Sequence, residues 1–263
     1  MKTLKYILVF AAWLCTTGIQ AGNNSDREAS YAHWGPTSDH NGMGYIVRAG
    51  FVIGGTTPLP LPAEVRSIGT FRTKGGLALG VEGYKYFNRQ WGLSTGLHFF
   101  MQGMRTGADV KDYNMAITMG DDKVEGRFTG TAVTETRMTG FTLPVLASYR
   151  VGARWNFNLG PYVSYWIYRD FEGEVYDGYL REGSPTGQKI TISRENPASY
   201  SFSDDMRRVS WGIEFCADFR VMRHMNVFGL VDWGLSDVFK KDFKTVTFPM
   251  YPIYATLGLA YYY

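Results

Sequence analysis

The chain has 263 residues, with 27 Lys and Arg against 24 Asp and Glu, 45% apolar residues, 16% aromatic residues and two cysteines. This length allows one large domain or two small ones. The near balance of charge argues against a nucleic-acid-binding protein, and two cysteines cannot form a disulfide-dense scaffold. The informative signal is therefore the order of apolar and polar residues along the chain.

A secretory signal peptide is predicted at residues 1–21. Lys2 and Lys5 form a basic start, and an apolar run follows from Tyr6 to Leu14. A membrane anchor is the alternative, but the run is shorter than the about 20 residues that a spanning helix needs. We expect cleavage after residue 21, followed by a flexible periplasmic segment at 22–43. An exported chain without a helical anchor is either soluble or an outer-membrane β-barrel.

Residues 44–263 show the period-two alternation of β-strands. The clearest case is 208–221, where one face is apolar at Val209, Trp211, Ile213, Phe215, Ala217, Phe219 and Val221. Similar segments give eight strands of the length that a tilted membrane strand requires. The others lie near 45–53, 77–86, 91–102, 141–150, 155–167, 226–235 and 255–263.

The connections between these strands alternate strictly between short and long. The short ones are at 87–90, 151–154 and 222–225, and the long ones are near 54–76, 103–138, 169–207 and 236–252. This sorting is typical of outer-membrane barrels. The predicted fold is an all-β, eight-stranded antiparallel up-and-down transmembrane β-barrel with short periplasmic turns, long extracellular loops and both termini in the periplasm. The segment from Ala116 to Arg137 predicts a hairpin that extends beyond the membrane.

Alternation alone also fits a soluble barrel whose apolar face points inward. Here the polar face is rich in Gly, Ser, Asn and Thr, which suits the narrow lumen of an eight-stranded membrane barrel. The few charged residues on that face are expected to pair as a salt-bridged plug, because burying a lone charge is costly. They are Arg48, Glu82, Arg150, Glu214, Asp218 and Arg220.

Several segments resemble the PorT-like outer-membrane β-barrel family, namely Trp91–Leu97, Phe141–Val145 and Leu159–Tyr165. The last strand is similar to the terminal-strand signal of such barrels, with outward residues Ala255, Leu257, Leu259, Tyr261 and Tyr263. The resemblance implies an outer-membrane location and assembly by the barrel-insertion machinery, which reads the last strand. It implies no reaction, although one branch of the family is associated with protein secretion.

Catalytic chemistry is not predicted. His33 and His40 lie in the N-terminal segment, His98 faces the lumen and His224 lies in a short turn, so no histidine falls in a long loop. A base and nucleophile pair of His98 with Ser94 is the enzymatic alternative. The acidic loop groups lack the spacing of a calcium loop, so no metal and no cofactor are expected.

The sequence therefore predicts a non-enzymatic barrel with a filled lumen that acts as a structural or interaction scaffold through its extracellular loops. Its expected partners are outer-membrane lipid and lipopolysaccharide, the barrel-insertion machinery and an unidentified loop partner, and no nucleic acid. The alternatives are a component that assists secretion, a small pore and a lipid-modifying enzyme.

Overall fold

The computed structural model describes residues 42–59, 62–119, 122–183, 186–243 and 245–263. They form an almost entirely β structure with one short 3₁₀ turn at Ser203–Asp205. No helix in these ranges is long and apolar enough to cross a membrane. The strands are β1 (Met43–Pro58), β2 (Val65–Thr73), β3 (Gly76–Tyr86), β4 (Trp91–Met119), β5 (Asp122–Val151), β6 (Trp155–Glu182), β7 (Lys189–Ile192), β8 (Ala198–Ser201), β9 (Val209–Arg220), β10 (Met225–Gly234) and β11 (Met250–Tyr262).

Eight of these strands close into a ring. Their order is β4-β3-β1-β11-β10-β9-β6-β5, and β5 pairs again with β4. Every pairing is antiparallel, and the first and last strands join along a register that runs from Ile46↔Tyr262 to Pro58↔Met250. Each ring strand pairs with the ring strands before and after it in the chain. The predicted eight-stranded up-and-down barrel is confirmed.

The two faces of the ring strands differ sharply in exposure. In β9 the burial alternates residue by residue, so that Trp211 and Ile213 are exposed while Ser210 and Glu214 are buried. The exposed side chains around the ring are large and apolar, which is what a lipid-facing surface requires. They include Val47, Phe51, Leu79, Val81, Leu93, Leu97, Leu143, Val145, Leu159, Val163, Phe215, Val227, Val231, Leu257 and Leu259.

One end of the barrel carries the short connections. They join β3 to β4, β5 to β6 and β9 to β10. The chain also enters and leaves the ring at this end, where Tyr263 N donates to Tyr45 O at 2.8 Å. We call this the turn end and the opposite end the extended end. Residues 1–41 lie outside the described part, so the signal peptide and nearly all of the N-terminal segment stay predictions.

The extended end differs from the predicted loops, because most of those residues are strands. β4, β5 and β6 have 29, 30 and 28 residues and continue far past the ring. The predicted hairpin at Ala116–Arg137 is the outer part of the β4–β5 pairing. β2 adds to the edge of β4, β7 adds to β6, and β8 bridges β6 and β4. We call these outer parts of β4, β5 and β6, with β2, β7 and β8, the extended sheet.

The extended sheet buries many apolar side chains in the protein's hydrophobic core, which explains why these segments form strands rather than open loops. Side chains from several strands and from the β10–β11 connection are fully buried together. Burial of this apolar surface offsets the entropy of ordering the segments. The core includes Met115, Ile117, Phe128, Val175, Leu180, Ile192, Ala198, Phe202, Met206 and Phe239.

Val163 tests the lipid-facing surface, and Ile68 is its matched control. Val163 lies midway along the ring part of β6 and is 52% exposed, whereas Ile68 in β2 is 55% exposed but lies outside the ring. We expect Val163→Arg to lower the free energy of unfolding in lipid vesicles by about 2–4 kcal/mol. Ile68→Arg should change it by less than about 0.5 kcal/mol. Equal effects in urea titrations would contradict a lipid-facing ring.

Candidate functional site

The lumen of the ring is filled by side chains. Small residues on some strands make room for large or charged ones on their neighbours. A Cβ atom at Gly80 would lie 2.6 Å from Cδ2 of His98, so glycine is required where this imidazole crosses the lumen. An eight-stranded ring is narrow enough for side chains to occupy its interior. The chemistry of the lumen is therefore that of a packed polar core.

Arg48 in β1 lies at the centre of this polar core and is only 3% exposed. Its Nε donates to Glu82 of β3. Its Nη1 and Nη2 donate to the two carboxylate oxygens of Asp218 in β9, at 2.5 and 3.2 Å. A forked guanidinium that binds a carboxylate with two nitrogens is a strong, directional contact. Arg48 thus connects three strands across the lumen.

Toward the turn end the network continues through amides and an aromatic ring. Asn158 donates to Asp218 at 2.9 Å, and Asn156 donates to Asn158 at 3.1 Å. The hydroxyl of Tyr86 donates to Asn156 at 2.8 Å. The guanidinium carbon of Arg150 lies 3.2 Å from the centre of the Tyr86 ring, a cation–π contact. These side chains fill the lumen between Arg48 and the turns.

Toward the extended end the network continues through His98. Its Nε2 lies 3.0 Å from Glu82 Oε1, and its Nδ1 lies 3.8 Å from Glu214 Oε2. Glu214 is directly opposite Asp232 in the pairing of β9 with β10. The imidazole therefore lies between two carboxyl groups and is part of the charge network.

The same geometry separates His98 from Ser94. The Ser94 hydroxyl accepts a hydrogen bond from Ser148 at 3.5 Å. Four residues along a strand span about 13 Å, so the two side chains lie in different layers of the lumen. Both residues are 2% exposed. A base and nucleophile pair with access to a substrate is not formed.

Five of the six predicted lumen charges lie inside the ring, and Arg220 does not. Arg48, Glu82 and Asp218 form one cluster, Glu214 joins it through His98, and Arg150 is buried near the turns. Arg220 lies at the turn end and is only half-buried. It is the last residue of β9, so its side chain reaches the following turn and donates to Met222 O and Arg223 O at 3.4 and 3.2 Å.

Four residues of the network were not predicted from the sequence, namely Asn156, Asn158, Tyr86 and Asp232. Each points inward, because it lies an even number of residues along its strand from a predicted lumen residue or from a buried apolar residue. The alternation of the sequence could therefore have identified them as inward-facing residues.

Four of the five predicted terminal-strand residues lie on the outward face of β11, the strand that closes the ring between β1 and β10, and Tyr263 follows its last residue. Leu257, Leu259, Tyr261 and Tyr263 are exposed, and Ala255 is partly exposed. Their role in assembly stays a prediction.

The extended sheet carries an open groove of about 370 Å³, lined by Arg105, Thr118, Val133, Glu135, Glu172, Gly173, Glu174, Ser199, Tyr200 and Ser201. Glu135 is the charged residue tied most firmly in place there. It accepts from Lys74 Nζ at 2.7 Å and also pairs with Arg137. Burial raises the pKa of Glu135, but these two cations outweigh it and hold the pKa below its usual value. The groove arises from pairing between distant segments, so no local sequence pattern could predict it.

Replacing Arg48 tests whether the lumen network holds the ring together. Arg48→Met leaves Glu82 and Asp218 buried without their cation, so we expect a loss of about 3–5 kcal/mol in the free energy of unfolding. Adding Glu82→Gln and Asp218→Asn should restore most of it. Arg66→Met, at an exposed site of β2, is the control and should change stability by less than about 0.5 kcal/mol. Failure of the triple variant to recover would contradict a charge-pairing role.

Comparison with known proteins gives one family match over most of the chain. One solved structure similar to this chain is that of Ail, the attachment invasion locus protein of Yersinia pestis, in complex with the heparin analogue sucrose octasulfate. Its sequence identity is 10% and the TM-score is 0.35, with 84% of this chain and 99% of that chain covered. Another is that of OprG from Pseudomonas aeruginosa, at 14% identity and a TM-score of 0.33 over 85% of this chain and 97% of that one. Curated protein sequences give no match. The family model for the outer membrane protein beta-barrel domain matches residues 23–240, so the chain belongs to that family of outer-membrane barrels.

Proposed function

We propose that the protein is a non-enzymatic outer-membrane scaffold whose extended sheet binds partners outside the cell. The observation that carries this proposal is the contrast between the two halves of the molecule. The lumen is closed by the network around Arg48, whereas the extended sheet is a folded surface with buried apolar side chains and an open groove. Binding sites commonly lie on segments that a rigid scaffold holds in position.

The proposal includes an orientation. The turn end and both termini lie in the periplasm, and the extended sheet lies outside the cell. Short periplasmic turns and long external segments are the usual arrangement of such barrels. Export by the predicted signal peptide at 1–21 and insertion through the outward residues of β11 belong to the same proposal.

The exposed apolar ring contacts outer-membrane lipid in this proposal, and cationic residues beyond the ring contact lipopolysaccharide. The segments Trp91–Leu97, Phe141–Val145 and Leu159–Tyr165 support placement among PorT-like barrels. The filled lumen argues against a pore, and the separation of Ser94 from His98 argues against an enzyme. No feature of the described residues favours a secretion role.

Cysteine labelling tests the orientation. Thr191 in the extended sheet and Arg223 at the turn end are both exposed, and the native Cys216 is buried. In intact cells, a membrane-impermeant maleimide should label Thr191→Cys but not Arg223→Cys. Permeabilised cells should label both. The reverse pattern in intact cells would overturn the orientation.

Conductance in planar bilayers tests the closed lumen. We expect no discrete single-channel steps from the refolded protein, because charged and aromatic side chains fill the ring from Arg150 to Glu214. An open-pore porin inserted in the same bilayer is the positive control. Reproducible unitary steps from the wild-type protein would contradict the scaffold proposal and favour a pore.

A further inference from the structure

Three basic residues lie in one row across the outer part of the extended sheet. Arg127 of β5 is directly opposite Arg181 of β6, and Arg181 is directly opposite Lys189 of β7. Residues directly opposite each other in antiparallel strands point to the same face, and like charges in such positions destabilise the pairing. We call these three residues the basic row. Because the basic row destabilises the strand pairing, we expect it to have a functional role.

Acidic residues near the basic row pair with Arg127 at one end of it and with Arg194 outside it. Asp112 and Asp177 both have left-handed backbone angles, with φ of 57° and 50°. Asp112 accepts from Arg127 at 2.8 Å, and Asp177 pairs with the neighbouring Arg194 at 2.8 Å. Glu125 lies on the same face of β5 as Arg127, two residues nearer the tip of the β4–β5 hairpin. The acidic side chains therefore lie at the margins of the row.

Two of the three basic residues in the row, Arg181 and Lys189, are not neutralised. Among the described residues, Arg181 and Lys189 have no carboxylate within ion-pair distance. Both cations instead lie against the ring of Tyr179, with Lys189 Nζ 4.5 Å and Arg181 Cζ 5.7 Å from its centre. Arg181 Nη1 also donates to Gly187 O at 3.4 Å. These contacts hold two like charges side by side at the surface.

The surroundings of the row favour a hydrophilic ligand over a protein. Between residues 102 and 140 and between 169 and 208, none of the described large apolar side chains is exposed. Protein interfaces depend on a few large anchors that are buried in the complex. Polar neighbours such as Thr129 and Thr191 lie beside the row instead.

The position of the row excludes the lipid headgroups as its ligand. The last exposed apolar residue of β5 is Phe141, and Arg127 lies 14 residues beyond it. At about 3.3 Å per residue this is about 46 Å along the strand, or about 33 Å above the apolar ring for a strand tilted by about 45°. The headgroup layer is only about 5–8 Å thick on each side.

We infer that the basic row binds an acidic polysaccharide, a sugar chain that carries sulfate or carboxylate groups. Adjacent strands lie about 4.8 Å apart, so Arg181 and Lys189 offer two neighbouring cations to successive anionic groups, with Arg127 and its partner Asp112 on the next strand. Guanidinium groups bind such anions with paired hydrogen bonds. The inference rests on the proposed function, because it requires the extended sheet to face the outside of the cell.

Binding of fluorescent dextran sulfate to the refolded protein in detergent tests the inference, with uncharged dextran as the ligand control. We expect Arg181→Gln with Lys189→Gln to weaken binding about tenfold or more, since two charge-assisted contacts are lost. Arg66→Gln with Arg72→Gln removes the same charge from β2 and should leave binding unchanged. Heat-modifiable gel migration verifies that each variant is folded.

Three outcomes would overturn the inference. They are full binding by the Arg181 and Lys189 variant, an equal loss in the β2 control, and tighter binding of polyglutamate than of dextran sulfate, which would indicate an acidic protein. Intact cells separate this inference from the orientation. If the purified protein binds through the row but cells that carry it do not, the ligand assignment stands and the extracellular placement of the extended sheet fails.

Discussion

The pairing of Arg48 with Glu82 and Asp218 is the interaction on which the rest of the molecule depends. A lumen lined by eight strands is too narrow to hydrate an ion, so each inward charge needs a partner from another strand. Arg48 meets this need by joining β1, β3 and β9. Side chains fill the ring, and the proposed function therefore places contacts with other molecules elsewhere on the protein.

The extended sheet provides that surface because it is folded rather than loop-like. A hairpin alone is marginally stable in water, and the parts of β4, β5 and β6 beyond the ring are stabilised because Met115, Phe128, Val175 and other side chains there are buried in the apolar core. β8 links β6 to β4 and β2 covers part of the outer edge of β4. Residues on this sheet are therefore held in fixed rows, and a ligand that binds there does not have to order a loop.

The ring could be predicted from the sequence because its alternation is regular. In Val209–Arg220 every second residue is apolar and points outward. Five of the six charges that were assigned to the lumen are buried inside the ring. Alternation does not show where a strand ends, so it gave no indication that Arg220 donates to Met222 O and Arg223 O in the following turn. Beyond the hairpin at Ala116–Arg137, the strands of the extended sheet were not predicted, because bulges near Val110 and Thr129 shift the register of the sheet. The basic row depends on that register, which brings together residues 54 positions apart in Arg127 and Arg181 and cannot be read from local pattern.

Arg48 and Arg181 show how the surroundings of an arginine side chain decide its role. Arg48 is buried, so its charge must be satisfied within the protein, and removing a partner leaves an ion stranded at low dielectric constant. Arg181 is at the surface, where water screens it from its neighbours, so it remains tolerable without an acidic partner and available to a ligand. The first kind of arginine therefore governs stability and the second kind governs binding. A barrel with a closed lumen separates these two tasks in space, and for that reason its recognition chemistry lies beyond the ring.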